Sequence, residues 1–409
     1  MPSTAAVAFD PFEPGFAEWP YDQYARLRTA EPVHRSALLE GWVLTRFEDV
    51  STVLRNPTIS VDLGNAAPSG VVELQRDRMR KSGRSTHTVV LRDDPDHSRL
   101  RKLLQRPFGP RPVERLRDMV VARVEGAMAE LAPTGKMDVI ADFAYPLPVA
   151  LFCEMFGIPD EASPKFREWT MAVVRSLDPV IDDEEHARCI ALIDEMYDYL
   201  DEQVEVKRRA PADDVMTELV QAEEDGDRLT RDELVAQLVT LYVAGHEPIT
   251  GVVGNGLLAL LRQPEQLALL QARPDLLPNA IHELLRYDGP NQFVRRIAVE
   301  PITIDGQRIE PGDVLYLCIA AANHDPERWE DAAAVHIDRP DAPHHLQFGA
   351  GVHTCLGSHL ARLHSEVALG ALVHQLDAIE LASDPVWSDR MVIRGLQSLP
   401  ITFHPKAAA

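Results

Sequence analysis

Phe348-Gly349-Ala350-Gly351-Val352-His353-Thr354-Cys355-Leu356-Gly357 decides how the rest of this chain is read. Glycines at 349, 351 and 357 surround Cys355. Residues without a Cβ let a backbone turn sharply, pass close to a flat macrocycle and aim amide hydrogens at a sulfur. The next segment, Gly357 to His374, has helical periodicity, so the positive end of a helix would face the same sulfur. A lone cysteine is more often a buried structural thiol. The ten surrounding residues turn the reading toward a thiolate that ligates a metal. Cys153, Cys189 and Cys318 lie in apolar runs and read as small core residues, and no CxxC spacing suggests a zinc site or a disulfide framework.

Outside this loop the sequence describes the body that carries it. Apolar residues recur at three- and four-residue spacing over Arg99 to Leu104, Val113 to Leu131, His186 to Arg209, Arg231 to Leu261, Pro264 to Ala272 and Leu276 to Tyr287, which predicts a mainly helical chain. Short β-branched or alternating stretches at Gly41 to Thr45, Ile302 to Ile309, Val314 to Leu317 and Ile401 to His404 predict a small sheet beside it. No Gly/Ser-rich or Pro-rich linker divides the 409 residues, so one catalytic domain with short flexible ends is the simpler expectation. Gly251, Gly254 and Gly256 fall inside a helical pattern with no preceding strand, which argues against a dinucleotide loop.

A net charge of −23 repels phosphate backbones and anionic membrane surfaces, so neither nucleic acid nor a membrane is an expected partner. Met1 to Trp19 lacks the basic start, apolar stretch and small-residue site of a secretory signal, and no later run approaches the roughly 20 apolar residues of a membrane span. The expected location is therefore cytoplasmic.

Two pairs and one proline carry further chemistry. Glu283 and Arg286, three apart in Glu283-Leu284-Leu285-Arg286, share a helix face and could form an ion pair, which alone would be a weak surface contact. His97 and Arg101, four apart in Asp94-Pro95-Asp96-His97-Ser98-Arg99-Leu100-Arg101, present two cationic donors suited to a carboxylate. Pro248, in Ala244-Gly245-His246-Glu247-Pro248-Ile249-Thr250, offers no N–H to the carbonyl of Ala244 and crowds it, so the helix should kink or open there and the freed carbonyl could order a water. Thr250, two residues on, points about 200° away around an ideal helix.

These stretches resemble the cytochrome P450 family. The cysteine loop matches its Phe-Gly-x-Gly-x-His-x-Cys-x-Gly signature at every fixed position, and the likeness runs from Trp42 to Phe47 through to Arg394-Gly395-Leu396-Gln397-Ser398-Leu399-Pro400. The resemblance implies a mainly α fold with a small β-rich region and heme b held between the long central helix and the helix after the cysteine loop. It implies Cys355 as the axial iron ligand, with Phe348 and Gly349 against the cofactor. His353, His97, Arg101 and Arg296 would bind heme propionates, with Arg295 competing for the last place. Glu283 and Arg286 resemble the family's Glu-x-x-Arg helix, which implies a buried network completed by Arg339 of Ile337-Asp338-Arg339-Pro340.

The oxygen-activation segment, Ala244, Gly245, Glu247 and Pro248, departs from the family at one place, since Pro248 stands where a threonine hydroxyl is expected to assist proton delivery. Glu247 remains as a relay acid. His364 stands where the family often has Glu, and Val335-His336 replaces a Phe-Asp pair. The substrate pocket would be lined by the stretch from about Ser60 to Val90, by Met171 to Pro179, and by Val239, Val243, Asn291, Gln292, Phe293, Val294, Gln397 and Ser398. Asn291, Gln292 and Gln397 would be its polar handles.

The expected protein is a monomeric oxidoreductase of the monooxygenase type, acting on a largely apolar natural product of secondary metabolism with electrons from ferredoxin and ferredoxin reductase. Arg99, Lys102, Arg106 and Arg111 would offer a small acidic carrier its docking face. Pro248 keeps two other reactions open: peroxide-driven oxidation, and oxidative C–C or C–O coupling of aromatic substrates such as cyclic dipeptides without oxygen insertion. A heme sensor is the rival of another class.

Overall fold

The computed structural model describes residues 7–84, 87–178, 181–224 and 227–406. The elements that frame the site are strands β1 (Val33–Ser36), β2 (Gly41–Leu44) and β3 (Ile59–Ser60), and helices α1 (Asp96–Leu104), α2 (Pro146–Phe156), α3 (Ser163–Ser176), α4 (Arg231–Arg262) and α5 (Leu277–Asp288). Strands β4 (Phe293–Ala298) and β5 (Val314–Cys318), helix α6 (Ser358–Gln375), and strands β6 (Val386–Trp387) and β7 (Leu396–Ser398) come after them in the chain.

Helix α4 is the axis of the helical body. Thr230 and Glu233 start it as a reciprocal cap: the Thr230 hydroxyl accepts the Glu233 amide at 3.2 Å and the Glu233 carboxylate accepts the Thr230 amide at 2.9 Å. Its sequence is apolar almost all round, which fits a core helix, and α2, α5 and α6 pack on it. Pro248 does not break it. The helix runs uninterrupted from Arg231 to Arg262, so the expected opening is confined to the one hydrogen bond that proline, lacking an N–H, cannot donate. Gly245 is where a neighbour comes closest, since a Cβ there would lie 1.9 Å from Phe152 Cζ of α2.

The main sheet has the order β1-β2-β5-β4-β3, with β2 and β5 parallel and the other pairs antiparallel. Register fixes the faces of β4. Arg295 lies opposite Tyr316 and Arg296 opposite Leu315, so the two arginines point to opposite sides. Phe293 shares the Arg295 side, in the cluster with Tyr24 and Tyr316, and Val294 shares the Arg296 side, against Leu315 and Leu317.

The periodicity read over Val113 to Leu131 as one helix is divided into Pro110–Glu114 and Arg117–Leu131. Val113, Val120, Val124 and Met128 are buried on both sides of the break, so the apolar spacing alone does not reveal it. The stretch Val139–Phe156 is long and apolar enough to cross a membrane, and 72% of it is buried inside the protein, as a core element is.

Candidate functional site

The cysteine loop is held by its own backbone. Cys355 N–H donates to Phe348 O at 2.8 Å, and Gly349 N–H to Leu346 O at 2.8 Å. Gly349 and Gly351 both have positive φ, +69° and +74°. At Gly351 any side chain would also collide, since a Cβ would sit 2.5 Å from the carbonyl oxygen of Leu54. Cys153, Cys189 and Cys318 are buried and Cys355 is accessible. Even so, surrounding protein raises the Cys355 thiol above its ordinary pKa by desolvation, while the Gly357 amide and Arg101 pull it down. A thiol that solvent can reach while protein surrounds it faces a recess in the molecule, and both local influences favour its thiolate.

Beside it, nitrogen donors converge. The rings of His97, on α1, and His353 are 4.2 Å apart. His97 is 2% exposed, yet neither ring nitrogen makes a hydrogen bond, and Asp94 Oδ1 is 3.6 Å away. Burial pushes His353 down to about 4, helped by the positive fields of His97 and Arg296. Burial likewise lowers His97, against the pull of Asp94. Arg296, 9% exposed, donates to the carbonyl of Arg295 at 2.8 Å, and desolvation lowers it to about 10. Among the described residues no carboxylate ion-pairs with it. Buried N–H donors normally have partners, and with Arg296 still charged this constellation fits an anionic guest. Arg295 is directed elsewhere, to Gln75 Oε1 at 2.8 Å.

Along α4, between Glu233 and Leu260, only Thr240, Ala244, Gly245 and Pro248 are not buried. Thr240, Ala244 and Pro248 are four apart, so they form one stripe along the helix. An accessible stripe in the middle of a buried helix marks open space beside it. Thr250 is turned away, with its hydroxyl donating toward the carbonyls of Ala144 and His246, each at 3.2 Å. Glu247 is not a free acid: Arg390, between β6 and β7, donates to it at 2.7 Å. Nothing in the sequence marks that pair, because 143 residues separate its members.

Glu283, Arg286 and Arg339 meet in a buried cluster. Arg286 grips Glu283 with two hydrogen bonds of 2.8 Å, and Arg339 adds one of 3.0 Å. The remaining Arg286 donors reach the carbonyls of Asn323, Ala332 and Ala334.

Several expected pocket residues are committed to the fold. Phe293 packs edge-on against Phe9 and Tyr24. Gln292 is buried, accepting from Tyr24 Oη at 3.1 Å and donating to Gly289 O at 3.0 Å, and Asn291 bonds with Gln347. Phe293, Gln292 and Asn291 are therefore not available as free pocket contacts. Alternation along β4 carries that signal, since Phe293 and Arg296 cannot share a face. Ser398 bonds Asp138. Gln397 is exposed, Val294 half-buried, and Val239 and Val243 buried on α4. Pro179, with Ser85 and Thr86 of the stretch from Ser60 to Val90, lies outside the described residues. In the basic group, Arg99 turns inward to Glu233, and Arg106 pairs with Glu218 at 3.2 Å, while Lys102 and Arg111 are exposed.

The Cytochrome P450 family model matches residues 73–392. The cytochrome P450 monooxygenase PikC of Streptomyces venezuelae is 37% identical over 95% of this chain and 92% of its own length. The vitamin D(3) 25-hydroxylase of Pseudonocardia autotrophica is 35% identical, with 100% of both chains covered. Among solved structures, P450BioI in complex with hexadec-9Z-enoic acid ligated acyl carrier protein superposes with a TM-score of 0.88 at 31% identity, covering 95% of this chain and 99% of that one. Fold and site thus define a heme-thiolate oxidoreductase. The chain belongs to the cytochrome P450 family, with heme as its cofactor.

Proposed function

We propose that Cys355 would ligate the heme iron, that His97, Arg101, Arg296 and His353 would hold its propionates, and that Phe348 and Gly349 would line its cysteine side. The carrying observation is buried His97, neither of whose ring nitrogens is hydrogen-bonded, with buried Arg296 that no described carboxylate ion-pairs, beside the accessible thiol. When bound, the heme supplies one-electron and oxygen chemistry, and a cysteine ligand favours O–O cleavage. The chain's part is to hold a substrate along the stripe Thr240, Ala244 and Pro248, exclude water and deliver protons.

Proton delivery is where this chain departs from its family. Pro248 has no hydroxyl, Thr250 faces away, and Glu247 is held by Arg390. There remains the carbonyl of Ala244, which lacks the helical hydrogen bond that residue 248 would give, so it can accept from an ordered water or a substrate hydroxyl. The reaction we infer is oxidation of a largely apolar natural product in secondary metabolism, with electrons from ferredoxin and its reductase. The names of the relatives support that class, since vitamin D3 and a hexadecenoyl chain are both large and mostly apolar. Pro248 also favours a second reading, oxidative coupling of aromatic groups, which inserts no oxygen.

The first test is the spectrum of the purified protein reduced under carbon monoxide, for wild type and Cys355→Ala. A thiolate-type band in wild type that the substitution abolishes is expected, and a colourless protein that takes up no added heme would overturn the assignment. The second is Pro248→Thr. Tighter coupling of NAD(P)H consumption to product is expected, and unchanged coupling and product would remove Pro248 from the account.

A further inference from the structure

Gln347 stands one residue before the cysteine loop, and its side-chain amide does the work of a β-strand. The short segment Pro290-Asn291-Gln292 lies antiparallel to Val392-Ile393-Arg394, with Gln292 N–H donating to Val392 O at 3.0 Å and Arg394 N–H to Pro290 O at 2.8 Å. That pairing turns the N–H and C=O of Asn291 to the opposite side. Both are taken by Gln347: Asn291 N–H donates to Oε1 at 3.1 Å, and Nε2 donates to Asn291 O at 3.1 Å. A third bond runs from Asn291 Nδ2 to the carbonyl of Gln347 at 3.3 Å. The clamp leaves no free volume, since a Cβ at Gly289 would lie 2.2 Å from Gln347 Cδ.

This ladder joins two parts of the site. On one side is the hairpin segment from β6 to β7, which carries Arg390, the partner of Glu247 next to Pro248, and the exposed Gln397. On the other is Phe348, whose carbonyl holds the amide of Cys355. We propose that Gln347 is a positioning residue that couples the β6–β7 segment to the cysteine loop, so that filling the substrate side changes how tightly the sulfur's backbone is held. Hydrogen-bonded partners of a ligating loop orient the ligand and tune its environment, and coupling between two sites is carried by hydrogen-bond networks that join them and can change arrangement.

The test is amide hydrogen exchange on the heme-loaded enzyme with two probes. Imidazole coordinates iron and fills little space, whereas clotrimazole coordinates iron and also fills the substrate side. Subtracting the imidazole response from the clotrimazole response removes what iron coordination alone does. In wild type the difference is expected as slower exchange in peptides covering both 387–398 and 346–357. In Gln347→Met, which keeps the side chain's bulk without its two bonds, protection of 387–398 is expected to remain and the difference at 346–357 to fall at least fivefold. An equal difference at 346–357 in that variant, or none in wild type, overturns the proposal. If Gln347→Met fails to take up heme, Gln347→Glu replaces it, because an ionised carboxylate can accept from the Asn291 N–H but cannot donate to the Asn291 carbonyl. An unchanged difference at 346–357 in Gln347→Glu then overturns the proposal. The inference rests on Cys355 as ligand, and the two fail separately: a thiolate spectrum without coupling removes only the role of Gln347.

Discussion

The buried polar groups around Arg286 and those around His97 lie on the same protein and obey opposite rules. Arg286 is 1% exposed and makes five hydrogen bonds, to both oxygens of Glu283 and to three carbonyls, which uses every N–H of its guanidinium. His97 is 2% exposed and makes none. One region is finished by the chain itself. The other is completed, on the function proposed above, by the cofactor, and between these two places it is hydrogen-bond satisfaction that differs, since burial is the same.

The largest effect that probes this contrast comes from the finished side. Glu283→Gln removes the charge that faces two buried arginines and should cost about 3–5 kcal/mol, the usual penalty for leaving a buried charge uncompensated. Urea unfolding measures it, and a loss under about 1 kcal/mol would place the cluster among ordinary ion pairs. On the unfinished side the sign should differ between loaded and empty protein. His97→Phe removes two unsatisfied buried nitrogens, so the heme-free protein should hold or gain about 1 kcal/mol, while heme dissociates roughly tenfold faster for a loss of about 1.4 kcal/mol of propionate binding. Heme transfer to apomyoglobin reads the second number. A heme-free protein that is clearly destabilised would mean that His97 already has its partner.

A pH-dependent effect concerns His246, fully buried on α4 with neither ring nitrogen bonded. Burial pushes it down to about 4 from an ordinary 6.5. The unfolded chain therefore binds the extra proton between pH 6.5 and 4, so stability falls as pH falls through that window. His246→Phe should gain about 1 kcal/mol or more at pH 5 relative to pH 8. Equal differences at the two values would show that His246 is not held neutral.

The elements legible in the sequence are those whose chemistry is local. The cysteine loop, the Glu283-Arg286 pair and the His97-Arg101 pair each fit within a turn or a decapeptide, and the apolar pattern bounds helix α4 to within one residue. The illegible parts are long-range or depend on facing. Arg390 reaches Glu247 across 143 residues, and Gln347 reaches Asn291 across 56. No spacing rule reports such pairs. Alternation along β4 puts Phe293 and Arg296 on opposite faces, so a pocket that takes one of them does not take the other.

The parallel pairing of β2 with β5 has a consequence for synthesis. Strand β2 ends at residue 44 and its partner begins at residue 314, while Tyr21 and Arg394 both bond Asp288. The amino-terminal strands thus leave the ribosome long before the edge they need exists, and at about 5–20 residues per second that wait is tens of seconds. Cys355 emerges later still. The proposed cofactor site cannot be completed before Cys355 has emerged, so a nascent chain presents an unpaired β-edge well before it can hold a heme.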